Sequence, residues 1–457
     1  MRKLFLSGLI ALGLLATGCS SDDIDNPTTG GGGELKGYLT LSLVNKAMNS
    51  PKTAGHETPE REVGTAEENK VHDVTVALTD ATGTITALVS PAIQSGTTTQ
   101  KFEVEAGVQH KVFALVNNAS SVAVGDNIAT VIDNATAAEI TAGFKAGKFF
   151  MTNSQSDIAK TPLDAGIDIT VNAGEEKVAK IAVDRLAAKV EDNTAAAGID
   201  LTELPEGAKA IVKGVRVVGF VPMNLNSSMN LIQTWGTANF TEPAVAENIL
   251  QTPGGSYLLP AEGTYKESAN GIGIVDKTAE TDFVKKVYVT ENRPVITFNS
   301  ELKPTAKRGE ATAVIYRVVA QDADGADLST FYVYNDVVYT DRAKLNEFFA
   351  KAGDDISALT DAKDLRAKNI RVYENGVMYY TYFILDPNTN YTLGGKDYYS
   401  TFRNSIYKLN ITKLKNLGDD VPEDSKTPEE VIDPDEAYLQ VELTIKDWVI
   451  NTIDIEF

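Results

Sequence analysis

The last twenty-one residues, Ala437 to Phe457 (AYLQVELTIKDWVINTIDIEF), alternate in a way that suits only extended backbone. Leu439, Val441, Leu443, Ile445, Val449, Ile453, Ile455 and Phe457 fall on one parity. Gln440, Glu442, Thr444, Lys446, Thr452, Asp454 and Glu456 fall on the other. Successive side chains of a strand point to opposite faces, so one face is apolar and the other wet. Fully extended, the stretch runs roughly 65–70 Å, several times a usual strand of about 5–6 residues. The segment before it, Asp419 to Glu436 (DDVPEDSKTPEEVIDPDE), is acidic and proline-bearing and has the composition of a tether. Two readings follow. Either the tail is a strand that leaves its own domain, or it forms two edge strands with a bend near Asp447 and Trp448.

The same period recurs through the chain. Leu35 to Val44 (LKGYLTLSLV) reads as a strand with Leu35, Leu39, Leu41 and Leu43 on one face. Further strands are expected at Val71–Thr79, Ile85–Val89, Lys101–Glu105, Lys111–Asn117, Ile167–Val171 and Lys177–Val190. In the second half they are expected at Ala210–Val221, Phe283–Thr290, Val295–Leu302, Ala311–Ala320, Thr330–Tyr334, Asn369–Tyr373, Val377–Ile384 and Tyr407–Leu414. Two helices interrupt: Asn134–Phe144, and Asp341–Ala352 with Asp341 as cap and Leu345, Phe348 and Phe349 on one face. Short strands joined by Gly, Asn, Asp and Thr turns make the chain all-β and sandwich-like, and 457 residues suit two domains. Asn45 to Glu68 breaks the pattern, with about two dozen residues rich in Pro, Gly, Glu and Thr. Loops of more than about 12–15 residues are functional or disordered more often than not. This one holds Lys46, Lys52 and Arg61 in polar sequence, where a trypsin-like protease could cut.

Composition narrows the chemistry. A net charge of −21 argues against a nucleic-acid partner. One cysteine and three histidines supply neither a disulfide framework nor a Cys/His zinc site. His56, His72 and His110 have no ligand or nucleophile placed with them in sequence. Asp322-Ala323-Asp324-Gly325-Ala326-Asp327 lacks the full spacing and late Glu of a calcium loop and reads as a turn. Gly30 to Gly33 precedes no helix that could cradle a phosphate. Trp235, Tyr379, Tyr380 and Tyr382 could line a glycan surface, although aromatics in β-rich sequence are usually core or cross-strand pairs. No enzyme, cofactor or metal is expected.

Met1 to Cys19 has a basic start (Arg2, Lys3) and an apolar run from Leu4 to Ala16, too short for a comfortable membrane span. Ala16-Thr17-Gly18-Cys19 resembles a bacterial lipobox, which would make Cys19 the lipidated residue. Ser20-Ser21-Asp22-Asp23 resembles the acidic tag that sends lipoproteins of Bacteroidetes to the cell surface.

Arg403-Asn404-Ser405-Ile406-Tyr407-Lys408-Leu409-Asn410-Ile411, running on to Leu417-Gly418, resembles a signature of type V pilus fimbrillins. Tyr373-Glu374-Asn375-Gly376 with Tyr379-Tyr380-Thr381-Tyr382, Tyr288-Val289-Thr290-Glu291-Asn292, and Val183-Asp184-Arg185-Leu186-Ala187-Ala188-Lys189-Val190 are similar to further patterns of that family. The tail around Val441-Glu442-Leu443-Thr444-Ile445 and Trp448 is similar to that of major subunits of short fimbriae. The resemblance implies two transthyretin-like β-sandwich domains with a few short helices, and assembly by donor-strand exchange. It divides the chain into a signal peptide (1–18), a propeptide with lipidated Cys19 and a removable first strand (19–61), sandwiches at 62–200 and 201–436, and a donor strand at 437–457. It implies an Arg-specific or trypsin-like maturation protease cutting at Arg61, with Lys52 as the alternative. Leu35, Leu39, Leu41 and Leu43 would leave with the first strand. The eight apolar residues from Leu439 to Phe457 would fill the gap in a neighbouring copy. Expected partners are further copies of this chain, anchor and tip pilus subunits, and a lipid anchor on the precursor. The rival expectations are a surface glycan-binding lipoprotein beside an outer-membrane transporter, and a tip or accessory pilus subunit.

Overall fold

Val74–Thr79 (VTVALT) is buried at every position, and Gln109–Val116 at all but its first and third. Such strands must be covered on both faces, which fixes them in the interior of a layered β structure. The computed structural model describes residues 35–45, 60–117, 122–133, 147–155, 160–195, 198–226, 228–241, 244–253, 257–258, 265–267, 273–275, 279–386, 398–422, 430–433 and 438–449. Cys19, Lys46, Lys52, His56, the expected helix Asn134–Phe144, and Ile453, Ile455 and Phe457 lie outside them.

The architecture is all-β. In the first half, ten strands form one sheet in the order Ile85–Val89, Val74–Thr79, Gln109–Val116, Met151–Asn153, Glu176–Arg185, Lys36–Val44, Thr98–Thr99 and Ile93–Ser95. Ile167–Thr170 also pairs with Gln109–Val116, and Phe102–Glu105 with Lys36–Val44. Its core gathers Leu39, Leu41, Leu43, Val76, Phe102, Val112, Met151 and Ile181. A second sheet of five strands draws on both halves and runs Glu60–Val63, Leu439–Val449, Ser405–Leu414, Ala187–Asp192 and Lys286–Thr290. A three-stranded sheet, Gly214–Met223, Ala313–Gln321 and Val377–Phe383, shares a core with it: Val190, Val314, Tyr316, Met378, Tyr407, Leu409, Leu439 and Ile445.

Sheet membership does not follow the expected limits of 62–200 and 201–436. The run Lys177–Val190 was expected as one strand but divides at Leu186. Glu176–Arg185 stays in the first sheet and Ala187–Asp192 enters the second. Leu186 gives its N–H to the Phe150 carbonyl at 2.8 Å, the last bond beside the rungs of Met151–Asn153 with Glu176–Arg185, and buries its side chain where the chain crosses. Glu60–Val63, ahead of residue 62 by half its length, also belongs to the second sheet. Of the expected donor segment 437–457, Leu439–Val449 is a strand of that sheet.

Smaller departures have local causes. Ala210 and Ile211 end a helix, Glu206–Ile211, so the next strand begins at Gly214. Helix Arg342–Lys351 is capped by Asp341, which accepts the Ala343 N–H at 2.8 Å, and buries Leu345 and Phe349. Phe348 is 44% exposed. Phe348 and Phe349 lie about 100° apart round the helix, so with Phe349 turned inward Phe348 falls at the rim of that face.

Candidate assembly site

The first strand, Lys36–Val44, lies inside its sheet. It runs parallel to Glu176–Arg185, from Tyr38 opposite Glu176 to Val44 opposite Ala182. On its other side it runs antiparallel to Phe102–Glu105, with a further rung between Ser42 and Thr98. Leu39, Leu41 and Leu43 are fully buried. Leu35 was expected on that face but precedes the strand and is 68% exposed. The reason is Gly37, the next inward position. A Cβ there would sit 2.4 Å from Val171 Cγ1 and 2.8 Å from the Asn172 carbonyl. No larger side chain can continue the apolar row.

The C-terminal strand, Leu439–Val449, pairs antiparallel with Ser405–Leu414, from Leu439 opposite Leu414 to Asp447 opposite Ser405. Leu439 and Ile445 are buried, while Val441 and Leu443 are half-buried against the same core. Its outer side is covered by the short second strand, Glu60–Val63, in parallel. Arg61 therefore sits in an edge strand with its side chain exposed, not in a loop. A run of Glu, Arg and Glu suits an edge, where charge discourages pairing with other chains. Asn45–Glu68 is likewise not structureless to its end: Thr65–Glu68 forms a turn in which the Thr65 N–H donates to Glu68 Oε2 at 2.8 Å.

Trp448 joins the two halves. It is fully buried within the core of the first sheet although it stands on a strand of the second. Its ring stacks on Tyr288 at 5.7 Å and 8°, and meets Phe149 edge-on at 5.4 Å. The Arg185 guanidinium lies 4.3 Å from the ring centre, a cation–π contact, and donates to the Trp448 carbonyl at 2.9 Å. Beside it Glu68 accepts the Tyr288 hydroxyl at 2.6 Å and lies 3.5 Å from Lys189. Burial works to raise the Glu68 pKa, but the Tyr288 and Thr65 hydrogen bonds and the Lys189 and Lys286 cations outweigh it. The carboxyl is held below its usual value.

Three of the sequence patterns converge here. Asn404, in the left-handed region at φ 61°, accepts the Trp448 N–H on its carbonyl at 2.9 Å. Its side chain donates to Asp184 at 3.0 Å and accepts the Arg185 N–H at 3.2 Å. Arg403 and Glu291 form a buried ion pair at 2.8 Å, and Arg403 also donates to the Leu231 and Asn230 carbonyls. Tyr407 donates to Asp386 at 2.8 Å and accepts the Phe402 N–H. Sequence reasoning missed Glu68, because a glutamate in polar sequence carries no sign that Lys189, Lys286 and Tyr288 will meet it from more than a hundred residues away.

Trp235, Tyr379 and Tyr380 are buried and Tyr382 packs against the core, so these aromatics offer no glycan platform. Asp322 accepts the N–H groups of Asp324 and Ala326, both at 2.9 Å, closing the expected turn.

Residues 371–454 match the family described as major fimbrial subunit protein type IV, fimbrillin, C-terminal. The C-terminal region is thus similar to that of fimbrillins. The match takes in the Arg403–Tyr407 corner and the whole of Leu439–Val449. No curated protein matches the sequence. Similar solved structures include a fimbrilin, FimA, from Porphyromonas gingivalis W83. It is 14% identical over 91% of this chain and 99% of that one, with a TM-score of 0.44. A candidate cell adhesion protein from Parabacteroides distasonis ATCC 8503 is 14% identical over 91% and 99%, at 0.45. The tip fimbrial protein Mfa3 from Porphyromonas gingivalis, with a C-terminal truncation, is 13% identical over 90% and 100%, at 0.29.

Proposed function

We propose that this chain is the polymerising stalk subunit of a surface pilus, exported as a lipoprotein on Cys19, matured by proteolysis and joined by donor-strand exchange. The observation that carries the reading is the place of the first strand. Lys36–Val44 supplies three fully buried leucines from inside a sheet, yet it is tied to the rest only through the segment that carries Lys46, Lys52 and Arg61. Burying a leucine contributes about 1.5–3 kcal/mol, so losing three leaves a groove that demands refilling. Ile453, Ile455 and Phe457 repeat the i, i+2, i+4 spacing of Leu39, Leu41 and Leu43. On this reading Leu439–Val449 is the root held in its own sheet, and the residues beyond it reach a neighbour. A strand added to an open sheet gains main-chain hydrogen bonds, and alternate side chains set its register.

Cleavage after Arg61, or after Lys52, also parts the subunit from the lipid on Cys19. The test is to treat the full chain with trypsin and look for an SDS-resistant ladder whose members begin at Glu62 or Thr53. A stable cut monomer, unchanged by deletion of residues 450–457, overturns the stalk role.

A further inference from the structure

The second strand meets the C-terminal strand rung by rung: Glu60 opposite Lys446, Arg61 opposite Asp447, Glu62 opposite Trp448 and Val63 opposite Val449. Charge follows the register. Lys446 Nζ lies 3.2 Å from Glu60 and 3.5 Å from Glu62, and Glu62 reaches Lys408 Nζ on the next strand at 2.5 Å. Those cations hold the Glu62 carboxyl below its usual value against the opposing effect of burial. The Trp448 N–H is bonded to the Asn404 carbonyl. Alternation therefore turns the N–H groups of Asp447 and Val449 toward Glu60–Val63. The peptide bond after Arg61 thus lies in the middle of a four-rung ladder.

We infer that Glu60–Val63 is a clamp that couples the cut after Arg61 to the seating of the C-terminal strand; this rests on the maturation reading above. A protease takes its substrate as an extended segment drawn into a cleft, so a bond held in a sheet is cut only from a locally opened state. Seating of Lys446–Val449 therefore protects Arg61. The cut acts in return. Water adds across the Arg61–Glu62 bond, leaving a carboxylate on Arg61 and an ammonium on Glu62. Glu60 and Arg61 depart with two of the four rungs and the Glu60–Lys446 pair. The new ammonium sits on Glu62, whose carboxylate meets Lys408 and Lys446, and so adds a positive charge to the residue that pairs with both. A cut after Lys52 frees the first strand equally but leaves all four rungs in place. The two candidate positions differ in what they do to the root of the donor, and the coupling between cut and seating is reciprocal.

The test uses the full chain and an arginine-specific protease, following the appearance of an N-terminus at Glu62. Lys446→Glu places like charges opposite Glu60 and Glu62 and should speed this cut about tenfold. Adding Glu60→Lys restores an opposite-charge pair and should slow it again, which a merely misfolded variant would not do. In the cut parent monomer, amide exchange over 446–449 should rise about tenfold while 440–443 stays constant. A chain cut after Lys52 by a lysine-specific protease should show no rise. Equal cutting rates in parent and Lys446→Glu, or unchanged exchange at 446–449 after the Arg61 cut, overturns the clamp. None of these measurements needs a polymer, so failure to polymerise with the coupling intact would sink the stalk reading alone.

Discussion

Glu68 shows how a single carboxylate ties a polar leader to both sheets. Its side chain is almost wholly buried and is met by Tyr288, Thr65, Lys189 and Lys286. With its folded pKa below the usual 4.5, its contribution is fully present above that value. As pH falls through the lowered folded pKa the contribution is lost, because the buried group must then take up a proton. Glu68→Gln should therefore be clearly destabilising at about pH 7 and much closer to the parent at about pH 3. Urea unfolding of both chains at the two values checks this, and a pH-independent difference would refute it. Neither Glu68 nor the buried Arg403–Glu291 pair could have been recognised from sequence. The pairing partners stand 121 residues from Glu68 at Lys189 and 112 residues apart in the second case, and composition weighs every charge as surface. Asn404 was more legible: asparagine tolerates the left-handed backbone that the corner before Ser405–Leu414 requires.

At the scale of the element, the first strand depends on a close approach. Gly37→Val would place a side chain against Val171 and the Asn172 carbonyl, and backbone cannot give way as a side-chain tip can. Overpacking of this kind costs about 1–3 kcal/mol, and here it falls on the strand the protein must later release. The expected result is faster amide exchange across Leu39–Leu43 in the uncut chain, with Val74–Thr79 unaffected. Equal protection in both chains would mean that Gly37 is not what seats the strand. Elements with clear local signals were legible: the apolar run Ile85–Val89 stands where its pattern placed it, and the capped helix at Asp341 begins on its cap. Glu60–Val63 was not, since Glu-Arg-Glu-Val has no apolar face and is held by rungs and charge supplied from the far end of the chain. Leu439–Val449 was legible as a strand, but its partner was not. Alternation reports which face is buried and is silent on which edge is taken.

At the scale of the molecule, the two halves share more than a linker. One backbone run passes from the first sheet to the second at Leu186, and Ala187, Ile406 and Trp448 of the second sheet stand in the core of the first. Trp448 has the most to lose, being held between Phe149, Tyr288 and Arg185. Truncating a buried tryptophan costs about 3–5 kcal/mol. Because the contacts with Phe149 and Arg185 run between the halves, Trp448→Ala should do more than lower the midpoint. It should split one unfolding transition into two, with the first core, which loses the indole, melting separately from the second. Trp448→Phe should behave much more mildly. It keeps an aromatic face for Arg185 and Tyr288, and the indole N–H has no acceptor to lose among the described residues. Calorimetry on the three chains decides the matter. A single transition in Trp448→Ala, lowered but not divided, would mean that the crossing at Leu186, with Ala187, Ile406 and Asn404, couples the halves without the indole. The C-terminal strand would then be a passenger in the fold.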